Sequence, residues 1–349
     1  MIMKRLFLAL FVFTLCLPAL PGAAQEEIVT LVTHDSFNIS EDVLKSFEEE
    51  TGLKIEILQL GDAGTLTNQA VLSANNPLGD VIFGIDNTFL GRALAGDIFE
   101  PYVSPLLEDV PDAFKVDPEN RVTPIDYGDV CLNYDLRYFE ENELEVPTHL
   151  QDLTSEAYKN LLVVQNPATS SPGLAFLLAT IAEFGTDGDY TYLDYWQDLV
   201  DNGVLVVEDW SSAYYGEFTL AGGDYPLVVS YASSPPVEVL FADPPVDEAL
   251  TGSVIGDGTC FRQIEFAGVL KGANNINGAQ KFIDFMLSKE FQEDIPLQMF
   301  VFPVNPNAEL PELFVEYAQI PDNPAQMTIE EIDAGREQWI QAWTEAVLR

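Results

Sequence analysis

Basic residues are scarce in this 349-residue chain: 15 lysines and arginines stand against 57 aspartates and glutamates, a formal net charge of −42. That balance excludes nucleic acid and anionic membrane surfaces as partners, because both are bound through positive charge. It favours cationic ligands by long-range attraction, though most of these carboxylates do no more than keep the surface solvated. Histidine is scarcer still, with only His34 and His149. Cysteine occurs three times, at Cys16, Cys131 and Cys260, and no histidine is near one in sequence. A Cys/His metal site is therefore poorly supplied, and a thiol nucleophile lacks an adjacent base. The HExxH, P-loop and GxGxxG patterns and a Ser-His-Asp set are also missing, so no motif points to an enzyme. No repeat and no low-complexity segment is present, and beyond residue 24 no apolar run reaches the roughly 20 residues of a membrane span.

The N-terminus is built differently. Lys4 and Arg5 precede an apolar run from Leu6 to Leu17, then Pro18, Pro21 and small residues ending at Ala24. This is the layout of a secretory signal peptide over residues 1–24, cleaved after Ala24. The rival reading, a retained membrane anchor, has too short an apolar run. Cys16 follows bulky Leu15, which argues against a lipidated cysteine. The mature chain is expected to be exported and soluble. Its Cys131 and Cys260 then most simply form one disulfide. A catalytic role for one of them is the alternative. The length beyond residue 24 exceeds the roughly 250–300 residues at which single cores stop growing, so two domains are expected.

Apolar patterning gives an α/β chain. Ile28–Thr33, Lys54–Leu60 and Asp80–Gly84 read as strands, each followed by a polar corner and a helix (about Ser40–Glu50, Thr65–Ala74 and Thr88–Ala95). This is a parallel α/β arrangement. A Pro-rich acidic stretch, Tyr102–Asn120, leads to the extended run Val122–Tyr134, the candidate crossing to the second domain. There the theme returns. Leu161–Val164 and Val204–Val207 read as strands, with helices over Leu174–Phe184 and Tyr192–Asn202. Gln263–Leu270 reads as a return strand, Ala279–Leu287 and Lys289–Asp294 as helices and Phe300–Val304 as extended. Ile329–Val347 is a terminal helix with Ile332, Trp339, Trp343 and Val347 inward.

The stretch Glu208–Pro235 is the densest in chemistry. It sets Trp210, Tyr214, Tyr215, Tyr225 and Tyr231 among serines at two strand ends. Ligands of open α/β sheets sit at such ends, and aromatic faces hold flat rings and cations. Trp210 with Ser211, and Tyr231, are thus candidate ligand contacts; the alternative is an ordinary aromatic core. Tyrosine pairs such as Tyr214-Tyr215 also ligate ferric iron in some exported proteins. Asp62, Asp86 and Asp126 are expected at strand-end corners, as cation partners or as turn residues and caps. Ser170-Ser171-Pro172 opens a helix, with the serine before Pro172 expected as N-cap; its free N–H groups suit an oxygen or anion.

Several blocks in order resemble the periplasmic thiamine-binding proteins of ABC transporters, within the extracellular solute-binding proteins. They are THDSF at 33–37, GDAGTL at 61–66, DVIFGIDN at 80–87 and PIDYGDVCLNYD at 124–135. QNPATSSPGL at 165–174, DWSSAY at 209–214, LVVSYASSP at 227–235 and FPVNP at 302–306 continue the match over almost the whole mature chain. The resemblance implies an α/β type II periplasmic binding fold of two lobes joined by hinge strands, with the ligand cleft between them. On this sequence the lobes become residues 25–125 plus 262–310, and 126–261 plus 311–349. The family's ligand contacts fall on Asp62, Ser170, Ser171, Trp210 and Tyr231. The chain departs from the pattern at His34 (often tyrosine), Ala63 (often glycine), Phe300 (tryptophan) and Val237 (aromatic).

Thiamine is a thiazolium cation joined to an aminopyrimidine. Trp210, Tyr231 and Phe300 suit its rings, Asp62 or Asp126 its positive charge or amino group, and Ser170 and Ser171 its tail oxygen or a phosphate. The implied protein is a monomeric receptor without cofactor. It captures thiamine or its mono- or diphosphate outside the cytoplasmic membrane for delivery to the permease of an importer. A binding protein for ferric iron or a polyamine, or a thiaminase-like enzyme using Cys131, are the alternatives.

Overall fold

The computed structural model describes residues 27–349. The leader expected over residues 1–24, with Cys16, lies outside the described residues.

In chain order the first block is β1 (Glu27–Thr33), α1 (Glu41–Thr51), β2 (Leu53–Gln59), α2 (Ala63–Leu72), β3 (Val81–Asp86), α3 (Leu90–Ala95) and β4 (Phe99–Glu100). The long strand β5 (Thr123–Asp135) follows, then α4 (Leu136–Glu141), β6 (Leu162–Gln165), α5 (Ser171–Phe184), α6 (Tyr192–Asp201), β7 (Leu205–Val207) and α7 (Trp210–Ser212). Next come β8 (Leu227–Tyr231), α8 (Pro235–Leu240), β9 (Thr251–Val254) and β10 (Phe261–Leu270). The chain ends with α9 (Ile276–Met286), α10 (Lys289–Gln298), β11 (Phe302–Pro303), α11 (Glu312–Tyr317) and α12 (Ile329–Val347).

The strands form one sheet in the order β2-β1-β3-β10-β5-β8-β6-β7, with β4 on β10 and both β9 and β11 on β5. Two parallel blocks occupy its ends. β1 pairs parallel with β2 and β3, and β6 pairs parallel with β7 and β8. Between them lies an antiparallel seam of β5 and β10, each also antiparallel to its outer neighbour, β8 and β3. The expected crossing at Val122–Tyr134 is thus β5, and the expected return strand is β10.

Period-two alternation splits β1 between two cores. Leu31 joins Val29, Phe83, Phe282 and Phe291 under α9 and α10. Val32 joins Leu66, Ile82 and Phe89 in a second core that continues through Leu174, Phe176, Trp196 and Trp343. Helix α5 is apolar all round and buried from Ser171 to Ile181, as a helix packed on several sides must be. Helix α12 starts at a capping box between Thr328 and Glu331. It lies against both α6 and α3, and Arg336 sits over the Phe89 ring at 4.4 Å. The terminal helix therefore touches both parallel blocks, whereas the lobe boundaries expected from sequence put it with one.

Three local expectations are corrected. Helix α2 begins at Ala63 rather than Thr65, because Asp62 caps it and accepts the Ala63 N–H at 2.6 Å. Asp126 lies inside β5, not at a strand-end corner, since pairing with β10 carries the strand on unbroken. Phe300 is not extended. It closes α10 in the left-handed region at φ 56°, and strand pairing is confined to Phe302–Pro303.

Candidate functional site

The corners after β1 and β2, the starts of α5 and α7, the end of β8 and the segment after α10 converge on one cleft. Its lining includes His34, Asp62, Ala63, Ser171, Trp210, Tyr231 and Phe300. Asp35, Ser36, Pro172, Ser234, Val237, Glu265, Met299 and Val301 complete it. Seven of the ten residues expected from sequence are therefore brought together. Ser170 is buried behind Ser171 as the actual N-cap of α5, with Ser171 and Pro172 in the first turn. The hydroxyl of the serine before Pro172 was expected at that cap; the helix begins one residue earlier. Ser211 is half-buried on α7 outside the lining, and Asp126 is fully buried behind Glu265.

Asp62 holds the two sides of the cleft together. Its carboxylate accepts the Ser171 N–H at 3.2 Å and the Trp210 N–H at 3.3 Å. It thus uses the donors at the starts of α5 and α7, where a helix offers free N–H groups. Burial pushes the Asp62 carboxyl up; the Ser170 side chain and the three N–H groups offset part of that rise. The approach is close: a Cβ on Gly64 would lie 2.5 Å from the Thr169 carbonyl oxygen.

The aromatic wall is held by hydrogen bonds at its polar ends, as buried tyrosine and tryptophan require. Trp210 Nε1 donates to Ser230 Oγ at 3.0 Å, and the ring stacks on Tyr214 at 4.9 Å. Tyr231 Oη donates to Gln263 Oε1 at 2.8 Å, and Gln263 Nε2 donates to Asp86 Oδ2 at 3.1 Å. Asp86 Oδ1 takes the Thr88 N–H and hydroxyl, both at 2.6 Å, so Asp86 is a turn residue beneath the site. Burial pushes its carboxyl up to about 6. At the mouth, Phe241 at the end of α8 meets Phe300 edge-on at 6.1 Å. Tyr214 is buried and donates to Glu238 Oε1 at 2.7 Å, while Tyr215 is exposed.

The floor carries the residue that sequence reasoning missed. Glu265 Oε1 lies 3.2 Å from His34 Nε2, and across the seam Glu265 pairs in register with Asp126. Its signal was an acid within a mostly apolar run, QIEFAGVL. Burial pushes Asp126 well up, and the adjoining Glu265 carboxylate adds to the rise. Burial would also raise Glu265, but His34 and the Asp126 hydroxyl pull it below the usual range. The two carboxyls are thus pushed apart, Asp126 upward and Glu265 downward. Gly84, at φ 96°, gives His34 its room, since a Cβ there would overlap the imidazole. The lining contains Asp35, Asp62 and Glu265 and no lysine or arginine. Its field favours a cation, and its rings favour a flat one.

Cys131 and Cys260 are joined in a disulfide, with Cα atoms 4.3 Å apart. Among the described residues no group of three or more His, Cys, Asp or Glu side chains is placed to hold a metal ion, and no helix is long and apolar enough to cross a membrane.

Residues 76–322 match the model of the bacterial extracellular solute-binding proteins, and the chain belongs to that family. Its architecture is the type II periplasmic binding fold. Within the family it is similar to the thiamine-binding periplasmic protein of Escherichia coli K12, 30% identical over 96% of this chain and 99% of that one. The protein of that name from Brucella suis is 29% identical over 99% of this chain and 100% of that one. A solved periplasmic thiamin binding protein superposes with a TM-score of 0.80 at 28% identity, covering 94% of this chain and 98% of that one.

Proposed function

We propose that this protein is the receptor of an importer, capturing thiamine or its mono- or diphosphate outside the cytoplasmic membrane and passing it to a membrane permease. The observation that carries the reading is the pairing of Trp210, Tyr231 and Phe300 with a floor of Asp62 and Glu265 and no lysine or arginine. Rings stack on the ligand's rings, and carboxylates meet its positive charge. The similarity to named thiamine-binding proteins over nearly the full chain supports the same ligand.

The protein binds and releases without turnover, as a monomer, after export and removal of residues 1–24. The lobes are residues 25–125 plus 262–310 and 126–261 plus 311–349, with α12 clasping both. Closure is a population shift driven by contacts to both sides, and Asp62, reaching α5 and α7, is its main polar contact. Two observations weigh against the alternatives. The Tyr214 hydroxyl that would serve ferric iron is engaged by Glu238, and the thiol a thiaminase-like enzyme needs is tied up in the disulfide.

Thermal shift tests the reading, because a ligand that binds only the folded state raises the melting point. Thiamine or a thiamine phosphate should stabilise the protein at micromolar concentration. Stabilisation by spermidine or ferric citrate alone would overturn the assignment.

A further inference from the structure

The floor of the cleft contains more than a ligand of known charge requires. Glu265 is flanked by two titratable partners of opposite effect. On one side Asp126 is fully buried, and neither of its oxygens receives a hydrogen bond from an N–H or from any hydroxyl other than a carboxyl among the described residues. Its polar partner is the Glu265 carboxyl itself. Two buried carboxyls in contact share one proton, since both cannot ionise at that distance. On the other side His34 Nε2 stands 3.2 Å from Glu265 Oε1. Burial lowers the His34 pKa, but Glu265, Asp62 and Asp35 more than offset it and leave it raised.

The two protonation states of the imidazole have different partners. Nε2 stands 3.2 Å from Glu265 Oε1 without completing a hydrogen bond, an approach that favours the charged ring, whereas Nδ1 lies 3.2 Å from the Ser36 N–H, a bond only the neutral ring can accept. Losing the Nδ1 proton therefore gains the Ser36 bond. The groups facing the pair are Asp35 and Asp62 from the corners, Asp126 on β5, Asp86 at the end of β3 and the Tyr231 hydroxyl on β8. All are acids, so the His34 proton is the one positive charge in this group.

We propose that Glu265 is the counter-ion of the bound cation, and that the ligand displaces a proton from His34 as it takes Glu265 over. The inference rests on the thiamine reading above. Before binding, imidazolium and carboxylate neutralise each other. Once the ligand's fixed positive charge meets Glu265, two cations face one carboxylate, and the proton on His34 Nδ1 leaves for solvent. Nothing else is transferred: one proton is released, the ring becomes neutral, and Nδ1 takes the Ser36 N–H. Glu265 and His34 thus distinguish a permanent cation from a neutral analogue of the same shape.

The test is a calorimetric titration of the full mature protein with thiamine at about pH 6, in two buffers of different ionisation enthalpy. Wild type should release up to one proton per ligand, and its affinity should rise with pH by up to about tenfold per unit while His34 titrates. Glu265→Gln should weaken thiamine binding roughly tenfold or more and abolish the release. His34→Gln should release fewer protons and show a shallower rise of affinity with pH over the same range. In parallel, NMR titration of the two histidines without ligand should find His34 above the ordinary histidine range in wild type and lower in Glu265→Gln, which also shows the variant folded. Thiamine binding with no proton released, or Glu265→Gln binding like wild type, overturns the proposal. If the ligand-free His34 shift is found but wild type binds no thiamine, the thiamine reading has failed and the displaced-proton role falls with it.

Discussion

The two ends of one strand seam carry the same kinds of residue in opposite arrangements. β5 and β10 pair Asp129 with Arg262 and, three positions on, Asp126 with Glu265. At the first end Arg262 grips Asp129 with two hydrogen bonds, at 3.0 and 2.8 Å, and lies over the Tyr127 ring at 5.3 Å. The Cys131–Cys260 bridge is beside it. At the other end two acids face each other beneath the cleft. Each end holds a buried aspartate beside a partly buried charged partner, yet only the first is charge-balanced within the seam. A protein organised for stability alone would pair both ends alike. The imbalance marks where the fold tolerates a cost, which is the usual sign of a site.

The contrast breaks most visibly at the balanced end. Replacing both Cys131 and Cys260 by serine opens a bridge between residues 129 apart in sequence, and should cost about 3–5 kcal/mol in chemical denaturation. Asp129→Ala comes next. It leaves Arg262 without its partner in a partly buried position and should cost about 2–4 kcal/mol, measured the same way. Burial holds Asp129 above the usual carboxylate range, with Arg262 offsetting only part, so the pair matters chiefly because losing one member strands the other.

The acid end gives a pH effect of unusual sign. Burial pushes the folded Asp86 carboxyl up to about 6 from its ordinary 3.8, so the native protein binds the proton that the unfolded chain has released. Stability from this group is fully present below about pH 4 and is lost as pH rises through 6, on the order of 3 kcal/mol. Asp126 and His34, also raised, act in the same direction. The melting temperature should therefore be higher at pH 5 than at pH 7.5. Carboxylates with lowered pKa, such as Asp117 and Glu48, oppose the trend only in stronger acid. A melting temperature that falls steadily from pH 7.5 to 5 would remove this distinction between the ends.

Much of the cleft was legible because its residues sit at corners. Trp210, Tyr231 and Ser171 follow strands or open helices, where local pattern exposes them. Trp196 and Trp343, packed edge-on at 5.4 Å, are core tryptophans, and their helical periodicity separates them from Trp210. The seam was opaque for the converse reason. Asp126 and Glu265 are distant in sequence, and nothing local tells that register sets them opposite each other. Asp62 was expected as a cation partner or as a turn residue and cap, and it does cap α2; its bonds to Ser171 and Trp210 depend on how the two blocks close. Phe300 read as extended because the turn out of α10 carries no glycine or proline signal.

The smallest expected effect is also the most direct test. One thiamine titration should be run on wild type, Trp210→Ala and Asp129→Ala. Loss of stacking and burial at Trp210 should weaken binding by about 1–3 kcal/mol, while Asp129→Ala should bind as wild type does despite its lower stability. Unchanged affinity in Trp210→Ala, or an equal loss in Asp129→Ala, would contradict the division of the molecule into a balanced end that holds the fold and an unbalanced end that holds the ligand.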